Sequence, residues 1–324
     1  MRRLTPALVL LLLTACGGSG TGAEGTAPGA GYPLTVRNCG ADVTFDAEPE
    51  RVVLLKSAAV PFLHDLGVLD RVVARAGRFP ADYYDEATRA ELDAIPSLTD
   101  RLDTSGHLQI SREVVIAQRP DLVIGEVDNL DRATLEAAGI PLLEEPALCG
   151  SGVPDVGFDD VSEQMEFYGA VFDRRERAAA AAAELRERVA DLTVPATGRT
   201  AAVLYPTVGG GVTYAYGSAS MANPQLEAAG FTNVFADVDD RVFEVTREEL
   251  IARDPDVLVL LHSDGDPQAV TEAVTSMPGL AGVTAVRDGA VLPLLFNFTE
   301  PPTPLAVEGL ARIVERFPPV GAVS

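Results

Sequence analysis

Positive charge is scarce in this sequence of 324 residues. Lysine and arginine together number 25 against 48 aspartate and glutamate residues, so the formal net charge is −23 at pH 7. Because a nucleic acid backbone is bound by clustered basic side chains, this balance excludes nucleic acid as a partner. The single lysine, Lys56, stands out among the arginines and becomes a candidate for a specific role.

Motifs for catalysis and for bare-metal binding are also missing. The three histidines are His64, His107 and His262, and no two of them have the spacing of metal ligands. The nucleophile elbow Gly-x-Ser-x-Gly does not occur. The sequence therefore predicts no catalytic residues, no metal ligands and no cofactor. A zinc or manganese binding protein and a lipid-anchored hydrolase with a dispersed site are kept as alternatives.

Only one long hydrophobic run exists, and it lies near the N-terminus. The apolar stretch at residues 7–13 is too short to cross a bilayer, which needs about 20 residues, but it suits a signal peptide. The following Leu13-Thr14-Ala15-Cys16 looks like a bacterial lipobox, in which the cysteine is acylated. We therefore expect a signal peptide over residues 1–15 and a lipid-anchored, flexible tether over 16–32. This predicts a cell-membrane protein that faces the extracytoplasmic side.

Cysteine is rare as well, with three residues in the chain. Once Cys16 is assigned to the anchor, Cys39 and Cys149 form an even pair in a protein outside the reducing cytosol. The sequence therefore predicts a disulfide between them. Such a bond closes a loop of about 110 residues and contributes about 4 kcal/mol if entropy loss in the unfolded chain dominates.

Two segments of the chain repeat each other 135 residues apart. Residues 111–124 read SREVVIAQRPDLVI, and residues 246–259 read TREELIARDPDVLV. Each begins with a hydroxyl residue suited to cap a helix, places an acid in the first turn, and reaches Pro-Asp before a stretch typical of a buried strand. The repeat predicts two related α/β lobes.

Further strands are predicted at residues 51–55, 71–74, 140–143 and 200–205, and helical patterns lie between them. One of these helices is predicted to open at Asn223-Pro224 and to close at Gly230. The alternation favours two Rossmann-like lobes, in which parallel sheets are flanked by helices.

A helical connector is predicted between the lobes. Asp160 with Glu163 and Asp173 with Glu176 have the spacing of capping boxes, so each pair predicts a helix start. The second helix, over residues 174–192, would be about 28 Å long. The resulting organisation is an N-terminal lobe at 33–155, a helical connector at 156–194 and a C-terminal lobe at 195–324.

Together, the lipobox, the two lobes, the connector and the repeated Glu…Pro-Asp segment resemble the solute-binding proteins of ABC importers. Within them the chain is similar to the class that carries iron–siderophore, haem and cobalamin ligands. The resemblance covers residues 33 to about 317. It implies a small-molecule ligand held between the lobes, and delivery to an ABC permease dimer with its ATPase. It also implies that an acid on each lobe docks onto permease arginines, and the repeat maps these acids to Glu113 and Glu248.

A narrower resemblance comes from the segments Tyr216-Gly217-Ser218, Phe235-Ala236-Asp237 and the run FNFTEPP at 296–302. They are similar to a subgroup of actinobacterial binding proteins proposed to carry a precursor of the deazaflavin coenzyme. This implies a deazaflavin-type ligand as the alternative to a siderophore, a corrinoid or haem.

Ligands of open α/β sheets lie beyond the carboxyl ends of the strands, which nominates the loops there. The candidate ligand-binding residues are Lys56, Ser57, Arg78, Phe79, Glu126, Tyr205, Tyr214, Tyr216, Ser218, His262, Phe296 and Asn297. Lys56 with Arg78 would suit an anionic ligand, and the alternative is that Lys56 is a solvated surface residue. Tyr214 and Tyr216 alternate on a strand, so they are either a stacking pair for a planar ligand or exposed residues of an edge hairpin.

Overall fold

The computed structural model describes residues 31–103, 107–149, 155–263 and 265–319, so Cys16 and the predicted signal peptide lie outside the described residues. The strands are β1 (Leu34–Asn38), β2 (Ala41–Phe45), β3 (Val52–Leu54), β4 (Val72–Arg75), β5 (Leu122–Ile124), β6 (Leu142–Leu143), β7 (Arg199–Pro206), β8 (Thr213–Tyr216), β9 (Phe231–Asn233), β10 (Val242–Val245), β11 (Val257–His262) and β12 (Val291–Leu295). The helices are α1 (Val60–Leu66), α2 (Glu86–Asp93), α3 (Arg112–Ile116), α4 (Arg132–Glu136), α5 (Phe158–Val171), α6 (Arg175–Leu192), α7 (Ala222–Ala228), α8 (Arg247–Arg253), α9 (Pro267–Thr275), α10 (Thr284–Arg287) and α11 (Pro304–Arg316). Among the residues that the structure describes, no helix is long and apolar enough to cross a membrane.

Each lobe is built on its own sheet, as predicted. The N-terminal sheet has the order β4-β3-β5-β6, and all of its pairings are parallel. The C-terminal sheet has the order β10-β8-β7-β11-β12, with β9 also pairing with β7. Its central strands are parallel, but β8 runs antiparallel to both β7 and β10. The second lobe is therefore mixed rather than purely parallel, because a hairpin follows β7.

The repeated segment folds in the same way in both lobes. Each copy forms a helix and then a central strand, α3 with β5 and α8 with β11. The residue before Pro-Asp has a positive φ in both copies, 51° at Arg119 and 42° at Asp254, and this left-handed residue ends the helical turn. Non-glycine residues rarely adopt this conformation, and its recurrence at equivalent positions strengthens the evidence for duplication.

The aspartate of each Pro-Asp has a structural task. The Asp121 carboxylate accepts hydrogen bonds from the backbone N–H groups of Glu50 and Arg51, both at 2.9 Å, just before β3 begins. The Asp256 carboxylate accepts a bond of 2.8 Å from the N–H of Thr200 in β7. In return, each aspartate N–H donates to the carbonyl of Arg51 or Thr200. The motif thus ties the start of one central strand to its neighbour.

The connector is a pair of packed helices, α5 and α6, with a tight turn between them. Close approach requires Gly169, because a Cβ at this position would lie 2.1 Å from the Cβ of Ala178. The predicted lobe boundaries at 155/156 and 194/195 fall between secondary-structure elements.

Three helix starts differ from the predictions. α5 is capped at Gly157, and Asp160 lies in its first turn, where its carboxylate accepts the Gly157 N–H at 2.7 Å. α6 begins after Arg174, and Asp173 instead accepts a bond from Arg175. α7 begins after Met221, so Asn223 is inside the helix and donates to Glu227. Of the residues that precede the three helices, only Gly157 has an extended backbone, and neither Arg174 nor Met221 caps its helix with a side chain. The spacing of capping residue types therefore did not locate these helix starts.

The predicted disulfide between Cys39 and Cys149 is present, with the two Cα atoms 5.5 Å apart. It joins the turn of the β1–β2 hairpin to the end of the N-terminal lobe. Next to it, the Asn38 side chain donates to the carbonyl of Glu144 at 2.9 Å and accepts from its N–H at 2.8 Å. The hairpin is therefore held to the lobe by a covalent bond and by paired hydrogen bonds.

Candidate functional site

A cavity of about 320 Å³ lies between the two lobes. It is formed at the carboxyl ends of β3, β4, β5, β11 and β12, where the strand-end rule predicts a ligand. The lining residues are Leu55, Lys56, Ser57, Ala58, Gly77, Arg78, Pro80, Tyr83, Leu102, His107, Leu108, Glu126, Val127, Asp128 and Leu148 from the first lobe, with Ser263, Phe296, Asn297 and Pro301 from the second. Six of the predicted ligand-binding residues are among them: Lys56, Ser57, Arg78, Glu126, Phe296 and Asn297.

Two glycines allow the loops of the first lobe to converge on the cavity. Gly77 and Gly125 follow β4 and β5, with φ values of 101° and 98°. A Cβ at Gly125 would lie 3.2 Å from the Cβ of Lys56, and one at Gly77 would lie 3.4 Å from the carbonyl oxygen of Leu55. The left-handed backbone and the close approach both favour glycine here, and they place Arg78 and Glu126 beside Lys56.

Lys56 lines the cavity with its side chain exposed to solvent, although many protein atoms lie around it. Desolvation by these surrounding atoms lowers the pKa of Lys56, and the carboxylates of Glu126, Glu145 and Asp128 act in the opposite direction. Burial, followed by a hydrogen bond between the Glu126 and Glu144 carboxyl groups, raises the pKa of Glu126. On the side of the cavity formed by the first lobe, Lys56 therefore lies among several carboxyl groups. These groups offset much of its positive charge.

A buried carboxyl group lies behind this wall. Glu145 is only 8% exposed and accepts a hydrogen bond of 2.9 Å from Gln164 of the connector helix α5. Burial raises the pKa of Glu145 to about 7, and the Gln164 bond and Lys56 partly oppose that rise. The N-terminal lobe therefore meets the connector at a carboxyl group that titrates near neutral pH.

Direct hydrogen bonds join the two lobes at the cavity. The backbone N–H of Asn297 donates to the Tyr83 hydroxyl oxygen at 2.9 Å, and the Asn297 side chain donates to the Ser57 hydroxyl at 3.1 Å. The Tyr83 ring also packs edge-on against Phe298, with 5.2 Å between ring centroids. All of these contacts cross between the lobes, so they connect the two walls of the cleft directly.

The segment that carries Phe296 and Asn297 is held from behind by buried polar groups. Gln225 donates to the carbonyls of Phe298 (2.6 Å) and Ala306 (2.8 Å) and accepts from the Thr299 hydroxyl (2.8 Å). The fully buried Glu300 pairs with Arg241 at 3.1 Å and accepts the Met221 N–H at 2.9 Å. The FNFTEPP run therefore includes both cavity residues and the buried anchors that fix their position.

Two other predicted residues, Phe79 and His262, line an adjoining and more open groove of about 590 Å³. This groove shares Gly77, Arg78 and Pro80 with the cavity, so the two spaces are continuous parts of one cleft. The Arg75 guanidinium lies over the Phe79 ring, 5.0 Å from its centroid. Burial lowers the pKa of His262, which favours its neutral form at pH 7.

The remaining four predicted residues lie outside the cavity. Tyr205 supports it indirectly, through a hydroxyl contact of 3.0 Å to Ser263 and an edge-on contact with Phe296. Tyr214 is exposed on the β7–β8 hairpin. Tyr216 is buried in the core at 3% exposure, and Ser218 donates to the carbonyl of Val238. The two tyrosines share a strand face, but that face is covered at Tyr216 and open at Tyr214, so they do not form a stacking pair at the cavity.

Several cavity residues were not predicted from the sequence. Tyr83 lies in a 3-10 turn, where no strand end marks it. His107 and Asp128 approach each other at 2.7 Å, although 21 residues separate them in the chain. Together with Asp103, their ligand atoms lie within 4.8 Å of one another, and all three side chains are exposed. These are the donor types of a divalent metal site, and tertiary contact brings them together without any sequence motif.

Glu113 and Glu248 have matching environments. Each lies in the first turn of its helix, 70% of each side chain is exposed, and each is paired with the preceding arginine. Arg112 contacts Glu113 at 3.0 Å, and Arg247 contacts Glu248 at 2.5 Å. These hydrogen bonds hold the pKa of both carboxyl groups below the usual range, so both acids are charged at neutral pH.

Comparison with known proteins identifies relatives that share the fold of this chain. The profile of a family described as periplasmic binding protein matches residues 52–294. A crystal structure from Saccharomonospora viridis, described as an ABC-type Fe³⁺-hydroxamate transport system, is 61% identical with a TM-score of 0.84. The match covers 89% of this chain and 99% of that one.

Two further relatives carry other ligand names. A cobalamin-binding protein of Halobacterium salinarum is 29% identical over 286 residues, covering 85% of this chain and 71% of the relative. A periplasmic haem-binding protein of Pseudomonas aeruginosa shares 23% identity with a TM-score of 0.66, covering 85% of this chain and 95% of that one. At that identity the haem-binding protein supports the fold alone.

Proposed function

The chain belongs to the periplasmic binding protein family, and from this we propose that it captures a compact metal-chelate or cofactor-type ligand between its lobes and delivers it to an ABC permease. As a family member it is an extracytoplasmic substrate-binding component of ABC transport and not an enzyme, so the hydrolase alternative does not hold. The observation that carries the ligand proposal is the cavity itself, which both lobes line and which the Tyr83–Asn297 hydrogen bond spans.

The size of the cavity favours a compact ligand. Sites for drug-sized molecules span roughly 300–1,000 Å³, and the cavity of about 320 Å³ lies at the lower end of that range. A hydroxamate chelate or a deazaflavin-type ring system suits this volume better than a corrinoid does. A larger ligand would have to extend into the adjoining groove beside Phe79.

The charges of the wall favour a ligand of low net charge. Lys56 and Arg78 are offset by Glu126 and Asp128, so a dianionic ligand such as haem finds little excess positive charge. Apolar residues such as Leu108, together with the Phe296 ring, leave area for a flat or aliphatic body. We therefore favour an iron–hydroxamate type of ligand, with a deazaflavin-coenzyme precursor as the alternative.

The experiment that tests this proposal uses full-length protein purified from its own host. Mass spectrometry and absorbance distinguish a ferric-hydroxamate band from a deazaflavin chromophore. Added ligand at 100 times its Kd should stabilise the fold by about 2.7 kcal/mol, which is measured as a rise in melting temperature. Cobalamin, haem, Zn²⁺ and Mn²⁺ complete the panel. Stabilisation by Zn²⁺ or Mn²⁺ alone would favour the bare-metal alternative, and no stabilisation by any member would contradict the proposal.

We also propose that Cys16 carries a lipid anchor and that Glu113 and Glu248 dock onto permease arginines. Support for the anchor is the lipobox pattern, which lies outside the described residues. Replacing Cys16 by alanine should release the protein from membranes. Support for docking is that both acids are exposed, charged and equivalent in the duplicated lobes.

A further inference from the structure

Exposed apolar side chains are concentrated near the two proposed docking acids. Among the described residues, the exposed large apolar side chains are Val114, Val208, Val212, Tyr214 and Ile251. Val114 is next to Glu113 in α3, and Ile251 follows Glu248 by three residues in α8, on the same side of the helix. The other three are on the hairpin between β7 and β8. Exposed apolar groups that cluster in this way mark interaction sites.

The tip of the hairpin, Val208–Val212, faces Glu248 across a surface groove. Val208 and the three glycines after it line one surface groove together with Arg247, Glu248 and Pro278. Ile251 borders the same area, because a Cβ at Gly279 would lie 3.0 Å from its Cδ1 atom. The C-terminal lobe therefore combines a charged group with apolar side chains on one surface.

The conformation of the tip depends on its glycines. Gly209, Gly210 and Gly211 have φ values of 90°, 97° and 142°, which other residues rarely adopt. No atom lies within 4 Å of a Cβ built at Gly209 or Gly210, so that direction is open at both positions. Val208 is 53% exposed at its base, although burial of a valine is favourable.

The N-terminal lobe has no equivalent of this hairpin among its described residues. β3 is the counterpart of β7, because the aspartate of the Pro-Asp motif holds the start of the strand in each lobe. β3 leads directly into the Lys56 loop and α1. Within the described part of this lobe, Val114 is the only exposed large apolar side chain beside Glu113. The two ends of the proposed docking surface therefore share a charge but differ in apolar area.

We propose that Val208, Val212 and Ile251 form an apolar contact with the permease beside Glu248, where the described residues of the N-terminal lobe offer only Val114 beside Glu113. The inference rests on the proposed permease docking. The partner surface is the extracytoplasmic face of an ABC permease that offers a cation opposite Glu248 and an apolar patch next to it.

The first experiment is photo-crosslinking of the full-length lipoprotein in host cells. A photoreactive amino acid is placed at position 113, 248 or 208, and at position 187 on the exposed surface of α6 as the control. Positions 113 and 248 test the docking proposal, and position 208 tests the hairpin contact. We expect permease peptides from the first three positions and none from 187, with 208 and 248 reaching the same permease region.

The second experiment measures affinity for that permease in lipid nanodiscs. A double variant, Val208→Ser with Val212→Ser, should bind about tenfold more weakly, since it loses apolar burial equivalent to about 1.4 kcal/mol. Glu187→Ser should bind as the unchanged protein does, and circular dichroism verifies the fold of each. Permease products from 248 without any from 208, or an unchanged Kd in the double variant, would overturn the inference alone. Absence of products from both 113 and 248 would contradict the docking proposal itself.

Discussion

The two lobes share a duplicated frame but differ at the loops that extend from it. In both, a short helix, a left-handed residue and a Pro-Asp motif lead into a central strand whose neighbour the aspartate holds. The N-terminal lobe then places charged side chains in the cavity, among them Lys56, Arg78 and Glu126. The C-terminal lobe contributes uncharged groups there, and it adds the glycine-rich hairpin beside Glu248.

This difference separates two tasks. Charge selection belongs mainly to the first lobe, because the C-terminal residues lining the cavity, Ser263, Phe296, Asn297 and Pro301, are all uncharged. The second lobe has buried anchors that hold its contribution rigid, such as Gln225 and the Glu300–Arg241 pair. Duplication thus preserved the strand-to-strand connections, and divergence in the loops produced an asymmetric cleft and an asymmetric surface.

The largest expected effect comes from reversing both docking acids. We expect Glu113→Arg with Glu248→Arg to reduce uptake at least about 100-fold, because two charge pairs with the permease become repulsions. Ligand affinity should not change, since neither residue lines the cavity. Uptake of radiolabelled or fluorescent ligand in host cells measures the first quantity, and titration of purified protein measures the second. Uptake that survives the double reversal would remove the docking role from both lobes.

The next effect is a change in the free energy of unfolding with pH, on the order of 3 kcal/mol. It comes from a difference between the buried acids of the two lobes. Glu300 is paired with Arg241, whereas the bond to Glu145 described above comes from the neutral Gln164. Folding raises the pKa of Glu145 from 4.5 to about 7. The resulting stabilisation is therefore fully present below about pH 4.5 and is lost as the pH rises through about 7.

The variant that tests this is Glu145→Gln, which keeps the shape of the side chain and cannot ionise. Its melting temperature should fall less than that of the unchanged protein between pH 4.5 and 8. Glu163→Gln, on the exposed side of α5, is the matched control and should retain the original slope. If both variants show the original slope, Glu145 does not titrate in this range.

Much of the frame could be predicted because its signals are local or repeated. The repeated segments at 111–124 and 246–259 predicted both helix–strand units. The even number of remaining cysteines in an exported protein predicted the Cys39–Cys149 bond. The strand-end rule found Lys56 and Asn297, because carboxyl ends of parallel strands meet at one edge. These inferences need only periodicity, counting and the topology of parallel sheets.

Features that depend on tertiary contact could not be predicted in this way. Tyr216 has the same alternation as Tyr214, and only the packing of the second lobe covers one and exposes the other. Tyr83 reaches the cavity from a turn whose position depends on Asn297, 214 residues away. His107 and Asp128 come together only when the chain folds, so their spacing in the sequence does not predict the contact.

The two Pro-Asp motifs allow the stability of the strand-to-strand connection to be compared between the lobes. Asp256→Ala should lower the free energy of unfolding by about 2 kcal/mol, because it leaves the N–H and hydroxyl of Thr200 without this acceptor. Asp121→Ala should cost about 1 kcal/mol, since its bonds are more exposed to water. Asp→Asn at each site retains one acceptor oxygen and is the control. Denaturant titration measures all four variants, and a larger loss at Asp121 would reverse this ranking of the lobes.

The smallest effect concerns the hydrogen bond that joins the lobes at the cavity. Tyr83→Phe removes the acceptor of the Asn297 N–H and keeps the ring that packs on Phe298, so we expect a loss of about 1 kcal/mol. Hydrogen exchange at the Asn297 amide should become about fivefold faster. Tyr84→Phe is the matched control, because its hydroxyl bonds to the carbonyl of Ser57 within the same lobe. If Tyr84→Phe accelerates that amide equally, the effect is general loosening of the turn. If only Tyr83→Phe does so, the contact between the lobes sets the width of the cleft, and the second lobe controls a site whose charges come from the first.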